Sequence, residues 1–298
     1  MNILPNFLVV GASKSGTSSL YHYLKQHPDI FLSEKQKEGR FFSQMANCFD
    51  GPGDAIVEKT ITKDVESYKL LFEGYNREKA IGDISPEYLY FHEQAIPLIK
   101  STLGNDVRII MILRNPVDRA FSAYTHFKRD KRESLSFEEA LEKEMERENQ
   151  NWLWTWKYKH SGFYTTQVKA YLNSFKQVKV FLYDDLLNNQ VKVLQEICAF
   201  IGIDSGFEFD TTYKYNVSGD PKNQLLYKLE TSRGLIQVLK KVIPSGIVAR
   251  VKKKWTGEKQ MVKSEMSPET RLNLIGFFRE DILELQKIIN RDLTHWMK

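Results

Sequence analysis

Residues 7–27 limit the fold more than any other stretch. Phe7-Leu8-Val9-Val10 is an apolar run that stops at Gly11, and Ala12-Ser13-Lys14-Ser15-Gly16 is a loop of small residues around one lysine. Thr17-Ser18-Ser19-Leu20 then opens a helical pattern that ends near His27, because Pro28 disfavours a helical residue before it. A strand, a tight loop and a helix start together make an anion cradle. The first N–H groups of a helix have no partner inside it, and the helix dipole adds partial positive charge there. Gly11 and Gly16 would let backbone come close to an anion, and Lys14 would add a full charge. An ordinary glycine-containing turn between strand and helix is the other reading of these residues.

The order within the loop narrows the choice. A nucleoside triphosphatase loop reads G-x-x-x-x-G-K-[ST], with lysine after the second glycine. Here Lys14 precedes Gly16, and Thr17 and Ser18 follow. The Lys-Ser-Gly-Thr order resembles the 5′-phosphosulfate loop of sulfotransferases that use 3′-phosphoadenosine 5′-phosphosulfate (PAPS).

The rest of the chain alternates. Short strands are expected at Asp29–Ser33, Lys79–Asp83, Val107–Leu113 and Val178–Tyr183. Helices are expected at 64–73, 92–103 (with Gly104 at its end), 137–149, 162–175 and 191–201, the last stopping at Gly202. The aperiodic stretch 43–63, with Gly51, Pro52 and Gly53, reads as a surface excursion. This alternation predicts an α/β fold in one domain over 1–298, a parallel sheet flanked by helices on both faces. The loops after Val10, Asp83 and Leu113 would share one sheet edge, where such folds bind ligands.

Val107–Leu113 leads directly into Arg114-Asn115-Pro116-Val117-Asp118-Arg119-Ala120-Phe121-Ser122-Ala123-Tyr124. Asn115 suits a helix cap and Pro116 a first helical turn. An arginine at a buried strand end needs an anion, and Ser122 lies two turns further along. The pair would grip a terminal phosphate, or Arg114 would simply pair with Asp118.

The R-x-P-x-x-R-x-x-S-x-Y wording resembles the 3′-phosphate segment of the same PAPS-dependent sulfotransferases, in particular the glycan branch with its heparan sulfate enzymes and bacterial relatives. Ser161-Gly162-Phe163-Tyr164, residues 180–186, 215–223 and 278–296 carry the likeness further. The resemblance implies a P-loop-like fold and in-line transfer of a sulfuryl group from PAPS to a hydroxyl or amine, with 3′,5′-bisphosphoadenosine (PAP) as product and no metal. It places Lys14, Ser15, Gly16, Thr17 and Ser18 on the 5′ end of the donor (loop 11–18) and Arg114 and Ser122 on its 3′-phosphate (segment 114–122). Lys14 would also stabilise the leaving phosphate oxygen. Lys222, in a loop at 214–223, would contact phosphate as part of a lid. Glu38, three residues before the Phe41-Phe42 pair, matches the branch's general base, with Glu34 and Asp83 as rivals. The acceptor implied is a glycan, a glycolipid or a small hydroxylated molecule. One departure stands out: Asp83-Ile84-Ser85-Pro86 replaces Glu-Lys-[Thr/Ser]-Pro, which leaves Lys14 as the clearest cation beside the transferring group.

Composition sets the outer limits. A net charge of +5 suits anionic ligands but is too small to argue for nucleic acid. Cys48 and Cys198 have neither disulfide-framework nor metal spacing. No secretory signal or membrane-length apolar run is present, so a bacterial-type cytoplasmic enzyme is expected. The basic stretch 240–259 reads as a solvated face, with peripheral contact to a membrane or anionic glycan as the alternative. Trp152, Trp154, Trp156 and Tyr158 alternate along an extended segment, with burial expected for at least half of them. The rival enzyme is a nucleotide kinase, which needs Gly-Lys-[Ser/Thr] and an acidic magnesium ligand after a buried strand; Arg114 stands there instead. The non-enzyme rival is a protein that binds PAPS or glycans without turnover, an option that Ile84 keeps open.

Overall fold

Alternating side chains on five short strands decide the architecture. In the computed structural model, β1 (Phe7–Gly11), β2 (Ile30–Leu32), β3 (Ala80–Ile84), β4 (Arg108–Leu113) and β5 (Val178–Leu182) form one sheet in the order β2-β3-β1-β4-β5. Every neighbouring pair is parallel. Leu8 and Val10 pack on one face, Phe7 and Val9 on the other, and β4 divides likewise between Ile109/Met111 and Ile110/Ile112. Both faces are therefore covered, which is why these strands read as continuous apolar runs. Each fully buried aliphatic side chain contributes about 1.5–3 kcal/mol. Gly82 is paired in register with Phe7, and a Cβ there would lie 2.2 Å from the Phe7 ring.

The structure describes residues 3–46, 48–212 and 265–298, with the backbone of Asp220–Pro221 and Met261–Val262. Lys222, the rest of loop 214–223 and the basic stretch 240–259 lie outside the described residues.

Helices α1 (Thr17–Leu24), α2 (Ala55–Glu58), α3 (Val65–Lys69), α4 (Glu87–Tyr90), α5 (His92–Leu103), α6 (Pro116–Arg129), α7 (Phe137–Glu142), α8 (Glu144–Asn149), α9 (Thr165–Ser174), α10 (Tyr183–Asn188), α11 (Gln190–Ile201) and α12 (Pro268–Ile289) connect and flank the strands. α1, α10 and α11 cover one face; α5, α6, α9 and α12 cover the other. The expected caps are in place. The Asn115 side chain accepts the Val117 N–H at 3.0 Å, and Gly202 ends α11 at φ 80. No described helix is long and apolar enough to cross a membrane.

Several expectations change. The helix expected over 137–149 is two helices meeting at Lys143, because Glu144 turns inward to accept the Lys159 N–H and bind His160 Nδ1 at 2.7 Å. The aromatic segment is not extended: Trp154–Trp156 is a turn of 3-10 helix, with Trp154, Trp156 and Tyr158 buried. The 43–63 excursion is anchored rather than superficial. Asp54 is fully buried, accepting the Leu153 N–H at 2.9 Å and the Trp156 indole N–H at 3.0 Å and pairing with Arg132. Gly11 is bare for packing, not for an anion, since a Cβ there would lie 2.5 Å from Leu89 Cβ.

Candidate active site

β1 ends at a loop that adopts left-handed backbone twice, at Lys14 (φ 68) and Gly16 (φ 89). Gly16 caps α1 without a side-chain partner, and the first turn holds no acidic residue. A Cβ on Gly16 would come within 2.9 Å of the Tyr183 ring, so glycine is required by conformation and by space. Gly16, Thr17 and Ser18 at the helix start line a cleft of about 310 Å³, whereas Ser15 is fully buried, does not line it, and donates its N–H to the Ala12 carbonyl at 3.3 Å. Lys14 lines that cleft. Burial, then the like charges of Arg129 and Arg114, push its ammonium down from 10.5 to about 7. A lysine held this way gains from any anion that restores its charge.

The end of β4 supplies the second cradle. Arg114 donates from Nη1 to the Lys14 carbonyl at 3.0 Å, and its guanidinium lies 4.7 Å from the centre of the Tyr183 ring. The Tyr164 hydroxyl donates to the Arg114 carbonyl at 3.0 Å. Asp281 of α12 fixes that tyrosine, accepting the N–H groups of Tyr164 and Thr165 at 2.9 and 3.1 Å. Asp118 pairs with Arg271, not with Arg114, and no carboxylate among the described residues forms an ion pair with Arg114. Ser122 faces the same cleft from α6. His126 and Arg129 stand four and seven residues further along, on the same helical face. Arg129 Nη2 donates to His126 Nδ1 at 2.6 Å. Burial, then Lys14 and Arg129, push this imidazole down to about 3, so it is neutral near pH 7. The i, i+4, i+7 spacing from Ser122 was a readable signal for both residues.

The third wall is the loop after β2. Glu38 lines the cleft and is held by two cations: Lys37 Nζ lies 2.8 Å from Oε1, and Arg40 binds Oε2. Burial pushes the Glu38 carboxyl up, but Arg40 and Lys37 outweigh it and hold it below the usual carboxylate range. Lys37 also donates to Ser18 Oγ at 2.8 Å, which ties this loop to the start of α1. Of the rival carboxylates, Glu34 is exposed and pairs with Lys25 at 2.7 Å, away from the cleft lining. Asp83 does not line the cleft either; it orients the loop that carries Glu38.

Ile84 is fully buried in the core among Phe7, Leu20 and Ile110. Lys37 and Arg40 supply the additional cations, so Lys14 is not alone. Neither was legible, because each reaches the site through the fold of its loop. Glu87 was missed as well. It begins α4, is 1% exposed, lines the cleft and lies 3.6 Å from Arg40 Nη1.

Known proteins share this arrangement of sequence. A family model described as the sulfotransferase domain matches residues 4–278. The chain is 35% identical over 151 residues to the membrane-associated sulfotransferase kil1 of Dictyostelium discoideum, an overlap of 47% of this chain and 28% of that protein. It is 24% identical over 303 residues to bifunctional heparan sulfate N-deacetylase/N-sulfotransferase 1 of Mus musculus, covering 99% of this chain and 31% of that protein. The chain therefore spans less than a third of these curated relatives. A crystal structure of a sulfotransferase from Alicyclobacillus acidocaldarius superposes with a TM-score of 0.79 at 35% identity, over 99% of this chain and all of that one.

Proposed function

Because the chain belongs to the sulfotransferase domain family, we propose that it moves a sulfuryl group from PAPS to a hydroxyl or amine of an acceptor, leaving PAP. One observation carries this reading. Two anion cradles at the ends of the adjacent strands β1 and β4 open on one cleft, and a carboxylate faces the same space. The cradles are linked, since Arg114 of one holds the Lys14 carbonyl of the other. Two cradles opening on one cleft suit a molecule that carries two phosphate groups.

The donor supplies an electrophilic sulfur on a good leaving group. Lys14 and the N–H groups of Gly16, Thr17 and Ser18 hold its 5′ end and offset charge that develops on the departing phosphate oxygen; donors of this kind contribute about 3–4 kcal/mol each. Arg114 and Ser122 hold the 3′-phosphate and set the register. Glu38 accepts the acceptor's proton as the new bond to sulfur forms and the bond to the phosphate oxygen breaks. A placed base of this sort is worth about 10²–10⁴-fold. Nothing in these steps calls for a metal. A glycan or glycolipid is the proposed acceptor, in keeping with the heparan sulfate relatives. The whole of 1–298 would act as one catalytic unit.

Transfer from sulfur-labelled PAPS across a panel of glycans, glycolipids and small alcohols tests the activity, read as the mass gain of one SO₃. Glu38→Gln is expected to lose about 10²–10⁴-fold in kcat while still binding PAP. Full turnover in that variant would remove Glu38 from the base role; a wild type that neither binds PAP nor consumes PAPS would end the larger reading.

A further inference from the structure

Glu87 and Glu38 share one guanidinium. Arg40 binds Glu38 Oε2 through Nη2 and lies 3.6 Å from Glu87 Oε1 through Nη1. Both carboxylates line the cleft, and Glu87 Oε1, fully buried, has no hydrogen-bond partner. Arg40 is held in place from behind: its backbone, at φ 57, donates its N–H to Ser85 Oγ at 3.2 Å. A carboxylate this deeply buried with one oxygen unpartnered is costly, so its position asks for an explanation.

The explanation lies in what a base must do. Glu38 starts with two cations on its oxygens, which makes it a reluctant proton acceptor. Once it takes a proton, the Arg40 charge would be left in a dry site without a counterion. Glu87 is the group positioned to take that charge over. We propose that Glu87 is a positioning residue for sulfuryl transfer, its carboxylate holding the Arg40 guanidinium while Glu38 takes the proton of the acceptor. The proton moves from the acceptor oxygen or nitrogen to Glu38, the Arg40 ion pair moves from Glu38 to Glu87, and no other reactant is needed. This rests on the reading of Glu38 as the base.

The charged surroundings give the sign of the pH dependence. The Asp83 charge of β3 acts on Glu87, Lys37 of the same loop and Lys14 of the loop after β1 act on Glu38, and α6 brings Arg129 and neutral His126 to the cleft. Burial, opposed by Arg40 and reinforced by Glu38 and Asp83, pushes the Glu87 carboxyl up to about 7. As pH falls through that value Glu87 becomes neutral, Arg40 turns wholly to Glu38, and the base weakens. As pH rises through it, kcat rises. Loss of the Lys14 proton would act in the opposite direction, so the two are separable by sign.

Carboxyl carbon NMR on the PAP complex, with glutamate labelled, reads this without any acceptor. In Glu87→Gln the Glu38 titration midpoint is expected to move to lower pH by about one unit, while Glu87→Asp keeps it near the wild-type value. With water as acceptor, PAPS turnover by Glu87→Gln is expected to fall about threefold to tenfold above pH 7 at unchanged KM for PAPS, and to lose the step near pH 7. An unmoved Glu38 midpoint, or a step near pH 7 that survives in Glu87→Gln, overturns the proposal. Full activity in Glu38→Gln together with a shifted midpoint would instead sink the base assignment and leave the Arg40 coupling standing.

Discussion

The Asp83 carboxylate accepts the backbone N–H of Gly39 at 3.1 Å, across 44 residues of chain. The bond fixes the residue next to Glu38 to the end of the strand beside β1. Asp83 also receives Ser85 Oγ–H at 2.6 Å, Tyr68 O–H at 2.8 Å and Tyr88 O–H at 2.7 Å, so its four donors come from two loops and two helices. A Cβ at Gly39 would lie 2.7 Å from Asp83 Oδ2, which explains the bare residue. Burial pushes the Asp83 carboxyl up, against hydrogen bonds that favour its charged form.

Asp83 is therefore expected to affect stability and, through the Glu38 loop, turnover by different routes. Asp83→Asn keeps one acceptor oxygen and brings an NH₂ group to face donors. It is expected to cost about 1–3 kcal/mol in thermal unfolding. Because Asp83 holds the Glu38 loop, α3 and the start of α4 but neither phosphate cradle, kcat should fall while PAP affinity, assigned to the ends of β1 and β4, should stay within about twofold. Equal losses in both quantities would show that Asp83 supports the whole sheet edge rather than the loop.

With its ammonium pushed down to about 7 by burial and by Arg129 and Arg114, Lys14 is expected to make donor binding a proton-linked event. At about 7 in the free protein, Lys14 is largely neutral at pH 8, and a bound phosphate must recharge it. PAP binding at pH 8 should take up close to one proton, measured by calorimetry in Tris against HEPES. Affinity should weaken as pH rises above 7, by up to about tenfold per pH unit, and stay flat below it. Lys14→Met is expected to bind more weakly and to abolish the uptake. Binding of wild type with no proton exchanged would place Lys14 off the phosphate.

Arg114 offers a test of which end of the donor each cradle holds. Its fork and its stacking on Tyr183 are not reproduced by lysine. Arg114→Lys should weaken PAP binding by about 1.5–3 kcal/mol, the usual range for a lost charged hydrogen bond. Adenosine 5′-phosphosulfate, which lacks the 3′-phosphate, should bind wild type and variant within about threefold of each other. An equal loss for both ligands would mean that Arg114 acts through the Lys14 carbonyl and not on the 3′-phosphate.

Local signals account for what was readable beforehand. The apolar run of β1, the left-handed turn at Gly16, the Asn115 cap with Pro116 behind it and the Gly202 stop are each set by a few neighbouring residues. They fix strands, helices and the two cradles, because alternating buried strands and helices have few ways to pack. The failures are non-local. Lys143 interrupts a helical pattern because Glu144 is drawn to Lys159 and His160. Asp54 looked like part of a surface loop and is a buried anchor for Leu153, Trp156 and Arg132.

The amino-acid sequence by itself determined the parallel sheet and the strand ends that carry Lys14 and Arg114, while Glu38 became a candidate through the resemblance to the glycan sulfotransferases. Only the tertiary structure decided that Arg40 stands between Glu38 and Glu87, that Lys37 spans to Ser18, and that Ile84 faces the core. The physical reason is range. Backbone propensity and capping act within a helical turn, whereas ion pairs, burial and proton affinity depend on which distant loops the sheet brings within a few ångströms.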